Sequence, residues 1–202
     1  MAQRKEPNDS LDDFPTQPWG TRALFEHVLP REAYSGKTAW EPCCNRGYMV
    51  RPISEYVGHV YATDVFDYGW SGMDAQEDFL FPGISAPWPV DWIVANPPFR
   101  LAEEFIRKSL DVARIGCAML VRTSFLEGVG RYARLYCKKP PTIIAIFTER
   151  LPLVKGRVDR KASTATSYSW LVWLQNEPPR PFVWMPPCRK QLERDTDYEV
   201  IK

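Results

Sequence analysis

The stretch DWIVANPPFR, residues 91–100, combines residue types that can bind a flat chemical group. Its apolar run must stop after Asn96, because Pro97 and Pro98 lack backbone donors and cannot continue a central strand. The side-chain oxygen of Asn96 and the carbonyl of Pro97 can each accept a hydrogen, and the ring of Phe99 can stack on a planar partner. This NPPF tetrad therefore predicts a rigid site for a flat group that has hydrogens to donate.

The tetrad belongs to a series of short apolar runs that alternate with segments long enough for helices. Strands are predicted at 38–43, 60–65, 91–96, 117–122, 142–147 and 167–174, and helices at 21–29, which Pro30 ends, and at 101–113. This alternation predicts an α/β fold with a mainly parallel sheet, helices on both faces and ligands at the carboxyl ends of the strands. The last two strands are predicted to form an antiparallel hairpin.

The first predicted strand leads into EPCCNRG, residues 41–47, a turn of the kind that brings backbone amides against a nucleotide-like ligand. Asn45 stands where a first glycine is expected, and asparagine tolerates the left-handed conformation better than other non-glycine residues, so the turn should form. Asp64 ends the second strand, about 20 residues later, where an acid can accept hydrogen bonds from ribose hydroxyls. Taken alone, the turn is explained equally well by a purely structural role, and Asp64 by a solvated aspartate at the end of a strand.

The segment EDFLF, residues 77–81, adds a weaker signal of the same kind. Asp78 could accept a hydrogen from an adenine amino group, and the ring of Phe79 could cover the base. A plain loop explains these two residues equally well.

In this order, EPCCNRG, Asp64, DF at 78–79 and NPPF resemble the class I S-adenosylmethionine-dependent methyltransferases, in particular the DNA amino methyltransferases that act on adenine N6. The resemblance covers roughly residues 15–175, and it implies the Rossmann-like class I methyltransferase fold and S-adenosyl-L-methionine as the cofactor. The segment TQPWGTRALFEHVL, residues 16–29, resembles the part of these enzymes that packs over the methionine end of the cofactor. At Asn45 the turn departs from the acidic-Pro-x-x-Gly-x-Gly pattern of the family.

The resemblance implies three groups of site residues. The cofactor site would comprise Thr16, Pro18, Trp19, Glu41, Pro42, Cys43, Asn45, Gly47, Asp64, Asp78 and Phe79. The catalytic group would be Asn96, Pro97, Pro98 and Phe99. Phe147 would place a second ring against the target base, and Lys155, Arg157, Arg160 and Lys161 of the loop 149–167 would contact phosphates. A core position for Phe147 and a solvated charged loop are the simpler interpretations.

The chemistry of the tetrad suits transfer of a methyl group to an exocyclic amino group, whose nitrogen is a poor nucleophile because its lone pair is delocalised. If the oxygens of Asn96 and Pro97 each accept an amino hydrogen, they stabilise the positive charge that develops on the nitrogen. No strong base, metal or covalent nucleophile is required, and alignment supplies most of the acceleration. In duplex DNA the adenine amino group lies within the stack, so the base must be flipped or presented on a single strand.

Alternatives stay open at this point, because similar tetrads occur in enzymes that methylate guanine N2 or adenine N6 of RNA and the side-chain amide of protein glutamine. The TQPW segment and Phe99, where glutamine enzymes tend to have Tyr, favour adenine in DNA. The non-enzyme alternative is an inactive module that binds the cofactor or nucleic acid. Few residues follow Gln175, so target recognition would come from the basic loops or from a partner, as in a solitary phage or mobile-element methyltransferase.

The length and composition of the chain limit how many domains it can form. The 202 residues, 45% of them hydrophobic, predict one methyltransferase domain at 16–175. A flexible arm at 1–15 would precede it, and a Pro-rich segment at 176–202 would follow, laying Phe182 and Trp184 on the body. A proline motif that binds a partner is the less favoured interpretation of that segment.

Charge and cysteine usage bear on partners and location. The net charge of +1 hides a basic segment, residues 122–161, in which ten Lys and Arg face only Glu127, Glu149 and Asp159. The five cysteines show neither C-x-x-C nor metal-ligand spacing, which predicts a reducing cytoplasm, no disulfide framework and no metal. No apolar run approaches the roughly 20 residues of a bilayer span, so no membrane partner is predicted.

Overall fold

The structure of the protein is a computed structural model that describes residues 12–199. Its strands are β1 Thr38–Glu41, β2 His59–Asp64, β3 Ala75–Gln76, β4 Trp92–Ala95, β5 Gly116–Arg122, β6 Ile143–Phe147, β7 Tyr168–Leu174 and β8 Val183–Met185. Its helices are α1 Pro18–His27, α2 Arg31–Tyr34, α3 Val50–Ser54, α4 Ala102–Val112, α5 Val129–Arg131 and α6 Arg189–Leu192. A π-helical turn, Tyr132–Tyr136, continues α5, and 3-10 turns lie at Thr123–Leu126 and Asp195–Tyr198.

The eight strands of residues 12–199 form one sheet in the order β3-β2-β1-β4-β5-β7-β6-β8. Strands β1 to β5 are mutually parallel where they pair, whereas β7 runs antiparallel between β5 and β6. The predicted parallel sheet and C-terminal hairpin are therefore confirmed. The carboxyl ends of β1, β2, β4, β5 and β6 meet at one edge of the sheet, which is where parallel sheets bind ligands.

The sheet has a hydrophobic core on each face, because side chains alternate along its strands. On β5, Ala118 and Leu120 belong to the core under α1, while Cys117 and Met119 belong to the core under α4. This explains why the strand reads as a continuous apolar run, since both of its faces are buried.

The two longest helices lie on opposite faces, as predicted. In α4, Phe105 and Ile106 are buried, and Glu103 on the outer side pairs with Arg107 and Arg134. Helix α1 begins earlier than the predicted 21–29, because Pro18 can occupy a first helical turn, where its missing donor costs nothing. None of the helices within residues 12–199 has the length and apolar character that a bilayer span requires.

Both ends of the described chain pack against the rest of the structure through contacts that the sequence did not predict. The prediction that Phe182 and Trp184 lie on the body is wrong, since their exposed fractions are 57% and 66%. Side chains alternate on β8, so Met185 faces the core while Trp184 points away. The anchor of this segment is Asp197, whose carboxylate accepts two hydrogen bonds, of 2.8 and 2.9 Å, from the buried guanidinium of Arg22. Residues 1–11 of the predicted arm lie outside the described residues.

Candidate functional site

A pocket with about 870 Å³ of empty space, part of it open to solvent, lies at the carboxyl ends of β1, β2 and β4. Its walls come from the segment before α1, the turn after β1, the ends of β2 and β3, and the NPPF tetrad. The lining residues are Asp12, Phe14, Pro15, Thr16, Glu41, Pro42, Cys43, Cys44, Asn45, Tyr48, Met49, Asp64, Val65, Tyr68, Glu77, Asp78, Phe79, Asn96, Pro98, Leu101 and Phe105. We call it the β1–β2 pocket.

The turn after β1 has the left-handed backbone that its sequence predicts, with φ of 51° at Asn45 and 75° at Gly47. The Asp64 carboxylate fixes this turn, because it accepts hydrogen bonds from the backbone N–H of Asn45 at 2.9 Å and of Phe66 at 3.0 Å. Both oxygens retain lone pairs for a ligand in the pocket. Asp64 thus links the turn to the end of β2.

Gly47 is required for space as well as for its backbone, since a Cβ at this position would lie 2.5 Å from the Trp70 ring. We expect Gly47→Ala to lower the free energy of unfolding by about 2 to 4 kcal/mol, from left-handed strain plus overpacking. The matched control is Gly36→Ala, where φ is 69° but nothing lies within 4 Å of the added Cβ. Strain alone should cost this control about 1 to 2 kcal/mol in denaturant unfolding. Equal losses in the two variants would contradict the role of Trp70.

Residues 12–14 connect the turn to the tetrad. Asp13 accepts a hydrogen bond from the Asn45 amide at 2.8 Å and pairs with Arg46 at 3.1 Å. Asp12 Oδ2 accepts the backbone N–H of Phe99 at 2.9 Å, and the carbonyl of Phe14 accepts Asn96 Nδ2 at 2.9 Å. The part of the predicted arm that the structure describes is therefore a wall of the site.

Three buried oxygens of the β1–β2 pocket make no hydrogen bond within residues 12–199: Thr16 Oγ1, Glu41 Oε2 and Asn96 Oδ1. Leaving a buried polar atom unsatisfied costs about 1 to 3 kcal/mol, so such atoms indicate positions for a ligand. The Phe14 carbonyl can only accept, so the Asn96 amide must turn its nitrogen toward it. Asn96 Oδ1 is thereby held as a free acceptor.

The pocket is acidic. It is lined by Asp12, Glu41, Asp64, Glu77 and Asp78, and no Lys or Arg of the described part of the chain lines it. Burial raises the pKa of Glu41 well above its usual range, and the negative charge of Asp64 adds to this rise. Burial also raises the pKa of Asp64, although its backbone hydrogen bonds oppose the shift. Such a pocket suits a ligand that carries positive charge and hydroxyl or amino hydrogens.

The structure brings most of the predicted cofactor residues together in this pocket. Its lining includes Thr16, Glu41, Pro42, Cys43, Asn45, Asp64, Asp78 and Phe79. Pro18, Trp19 and Gly47 lie outside the lining, and the Trp19 indole is fully buried, donating to Gln17 Oε1 at 2.7 Å. Phe79 is only 1% exposed and packs between Trp40 and Phe105, so it forms part of the wall.

The tetrad is shared between two pockets. Asn96 and Pro98 line the β1–β2 pocket, whereas Pro97 and Phe99 line a second pocket with about 470 Å³ of empty space. We call this the tetrad pocket; its other lining residues are Ala102, Val121, Arg122, Ser124, Phe125 and Arg131. The Phe99 ring also contacts Phe14, at 5.4 Å between ring centroids.

The residues predicted to contact nucleic acid lie outside both pockets. Phe147 packs edge-on against Trp19, with ring centroids 5.7 Å apart. In the basic loop, Arg157 pairs with Asp159 at 3.2 Å and Arg160 with Asp195 at 2.7 Å, and Lys155 also has a partner. Their role in nucleic-acid binding stays a prediction, as does that of Lys161.

Sequence reasoning missed several lining residues. In the β1–β2 pocket these include Asp12, Phe14 and Tyr68, and in the tetrad pocket Arg122 and Arg131. In the sequence, only two features pointed to any of these residues. They are the acidic pair Asp12 and Asp13 before TQPW, and the basic segment 122–161.

Solved structures with a similar fold include three transferases. The 23S rRNA methyltransferase ErmE is 14% identical with a TM-score of 0.54, covering 83% of this chain and 72% of that chain. A dimethyladenosine transferase from Plasmodium falciparum is 11% identical with a TM-score of 0.50, covering 80% and 62%. A SAM-dependent O-methyltransferase from Thermotoga maritima is 13% identical with a TM-score of 0.50, covering 90% and 69%.

At these identities the similarity is one of fold, and it confirms the predicted class I methyltransferase fold. Comparisons with protein-family models and with curated proteins find no match.

Proposed function

We propose that the protein is an S-adenosylmethionine-dependent methyltransferase that acts on an exocyclic amino group of a nucleic acid base. The observation that carries this proposal is Asn96 Oδ1, a buried acceptor without a hydrogen-bond partner among residues 12–199, held in place at the NPPF tetrad. The fold, shared with solved methyltransferases, supports the reaction class.

The residues of the β1–β2 pocket fit this cofactor, which supplies an electrophilic methyl group when bound. Thr16 Oγ1 and Glu41 Oε2 are unsatisfied buried oxygens for its polar groups. Asp64 would accept hydrogen bonds from ribose hydroxyls, and Asp78 from the adenine amino group. The five lining carboxylates favour its positive charge.

Asn96 and Pro97 would prepare the acceptor. Each offers one oxygen to a hydrogen of the amino group, which stabilises the positive charge that develops on the nitrogen. The rigid φ of proline aims the Pro97 carbonyl and brings no competing donor. The hydrogen bond to the Phe14 carbonyl would hold the Asn96 side chain in position before the acceptor binds. The free-energy cost of ordering this side chain is then incurred during folding and not during the reaction.

We propose adenine N6 as the acceptor. The order of motifs and the NPPF tetrad support DNA, as a flipped adenine or a single strand. RNA is the second candidate, because two structurally similar proteins are by name a 23S rRNA methyltransferase and a dimethyladenosine transferase.

Because Glu41 is buried, we expect cofactor binding to change its protonation. Burial raises its pKa in the free protein, whereas a cationic part of the cofactor beside it would lower the pKa. We therefore expect cofactor binding to release a proton at pH values between the lowered and the raised pKa. Calorimetry in two buffers of different ionisation enthalpy measures the release, and Glu41→Gln, which has no proton to lose, should abolish it. A binding enthalpy independent of the buffer at every pH would show that Glu41 does not lose a proton on cofactor binding.

The proposed function is tested by incubating the protein with methyl-labelled cofactor and separate pools of adenine-rich DNA, RNA and protein. Label is expected in a nucleic acid pool. Label in the protein pool alone would show a glutamine-type enzyme, and cofactor binding without transfer to any pool would show an inactive module.

A further inference from the structure

The tetrad pocket differs sharply in charge from the β1–β2 pocket, although both share the NPPF tetrad. Within residues 12–199, five carboxylates and no Lys or Arg line the β1–β2 pocket. Arg122 and Arg131 line the tetrad pocket, and among the described residues no Asp or Glu lines it. A pocket with two cations and no carboxylate favours an anion.

These two arginines also differ from others of the basic segment in having no acidic partner among the residues that the structure describes. Arg134 pairs with Glu103, and Arg157 with Asp159, whereas neither Arg122 nor Arg131 forms an ion pair with the described part of the chain. Their guanidinium groups lie instead over aromatic rings, Arg122 at 4.0 Å from the centroid of Phe99 and Arg131 at 3.8 Å from that of Phe125.

Arg131 is fixed in position by main-chain carbonyls. Its Nη1 donates to the carbonyl of Phe125 at 2.6 Å and to the carbonyl of Glu127. Its Nε is buried and has no hydrogen-bond partner within residues 12–199. The guanidinium thus retains its charge and a donor, and a buried donor without an acceptor is costly unless a ligand satisfies it.

We propose that the tetrad pocket binds a phosphate of the strand that carries the acceptor base, through Arg122 and Arg131. The planar, forked guanidinium matches phosphate oxygens, and this pocket is also lined by Pro97, whose carbonyl would accept a hydrogen of the acceptor amino group. A base that stacks on Phe99 takes the place of the Arg122 guanidinium, which is then available to the phosphate. This inference rests on the proposed function and narrows its substrate to a nucleic acid strand, since a glutamine side chain carries no such anion.

The test is fluorescence anisotropy with a labelled, adenine-containing single-stranded oligonucleotide, in its DNA and RNA forms. We expect Arg122→Gln and Arg131→Gln each to weaken binding about fivefold or more at low salt. Each should also lower the slope of log affinity against log salt by about 0.7, the value for one phosphate contact on a single strand. The matched control is Arg114→Gln, which precedes β5 at the opposite edge of the sheet and pairs with Asp91; its affinity and slope should stay near those of the unmodified protein.

Cofactor affinity of the same variants reports whether they are folded. If both variants bind the cofactor normally and bind the oligonucleotide as the Arg114→Gln control does, the phosphate site is refuted, whatever the methylation assay shows. If oligonucleotide binding depends on both arginines but no pool accepts the methyl group, the site stands and the proposed function fails. Methylation of a glutamine peptide that is unaffected by either variant overturns both.

Discussion

Asn96→Ala is expected to lower the methylation rate by roughly 100-fold or more while leaving cofactor affinity nearly unchanged. The reason is that Oδ1 would make its main contact with the acceptor amino group as positive charge builds on the nitrogen. Single-turnover kinetics with labelled cofactor measure the rate, and calorimetry measures the affinity.

The cofactor affinity also serves as the control for this variant. Asn96 Nδ2 donates to the Phe14 carbonyl, and Phe14 lines the β1–β2 pocket, in which we propose that the cofactor binds. A segment loosened by the substitution would therefore weaken cofactor binding. Unchanged affinity with a slow rate therefore assigns the loss to Oδ1. Turnover equal to that of the unmodified protein would remove Asn96 from the catalytic group.

Asp64→Ala should have the largest effect on cofactor binding. The substitution removes the proposed acceptor for ribose hydroxyls, and it leaves the backbone N–H groups of Asn45 and Phe66 without their partner. We expect a loss of about 1 to 3 kcal/mol in binding free energy, which is about 5-fold to 150-fold in affinity.

The matched control for this measurement is Asp67→Ala. Asp67 is an exposed acid three residues further on. Within residues 12–199 it accepts only the backbone N–H of Gly69, at 2.7 Å, and it is not among the described residues that line the pocket. Its substitution should leave calorimetric affinity near the starting value. An Asp64→Ala protein with unchanged affinity would exclude Asp64 from the cofactor site.

The main elements of the fold could be predicted because their signals are local. Strands β4 and β5 are continuous apolar runs, and the prolines of the tetrad end the first of them. The turn after β1 was predictable for the same reason, since Asn45 and Gly47 tolerate left-handed backbone.

The remaining features depend on distant contacts. The bond between Asn96 and Phe14 joins residues 82 positions apart, so no local pattern marks residues 12–14 as part of the site. The basic segment was visible in the sequence, but only tertiary structure separates Arg160, paired with Asp195, from Arg122 and Arg131. Trp184 was misjudged because the three-residue strand β8 sets the direction of its side chain, and Phe182, directly before that strand, is exposed as well.

We propose that the NPPF tetrad directs a methyl group to the amino nitrogen of adenine. To test this, a nucleic acid is methylated with this protein and digested to nucleosides, and the modified nucleoside is identified by mass spectrometry. We expect N6-methylated adenine, formed roughly 100-fold more slowly when Asn96→Ala replaces the unmodified protein. Recovery of 5-methylcytosine, or of N6-methylated adenine in equal amount from both proteins, would contradict it.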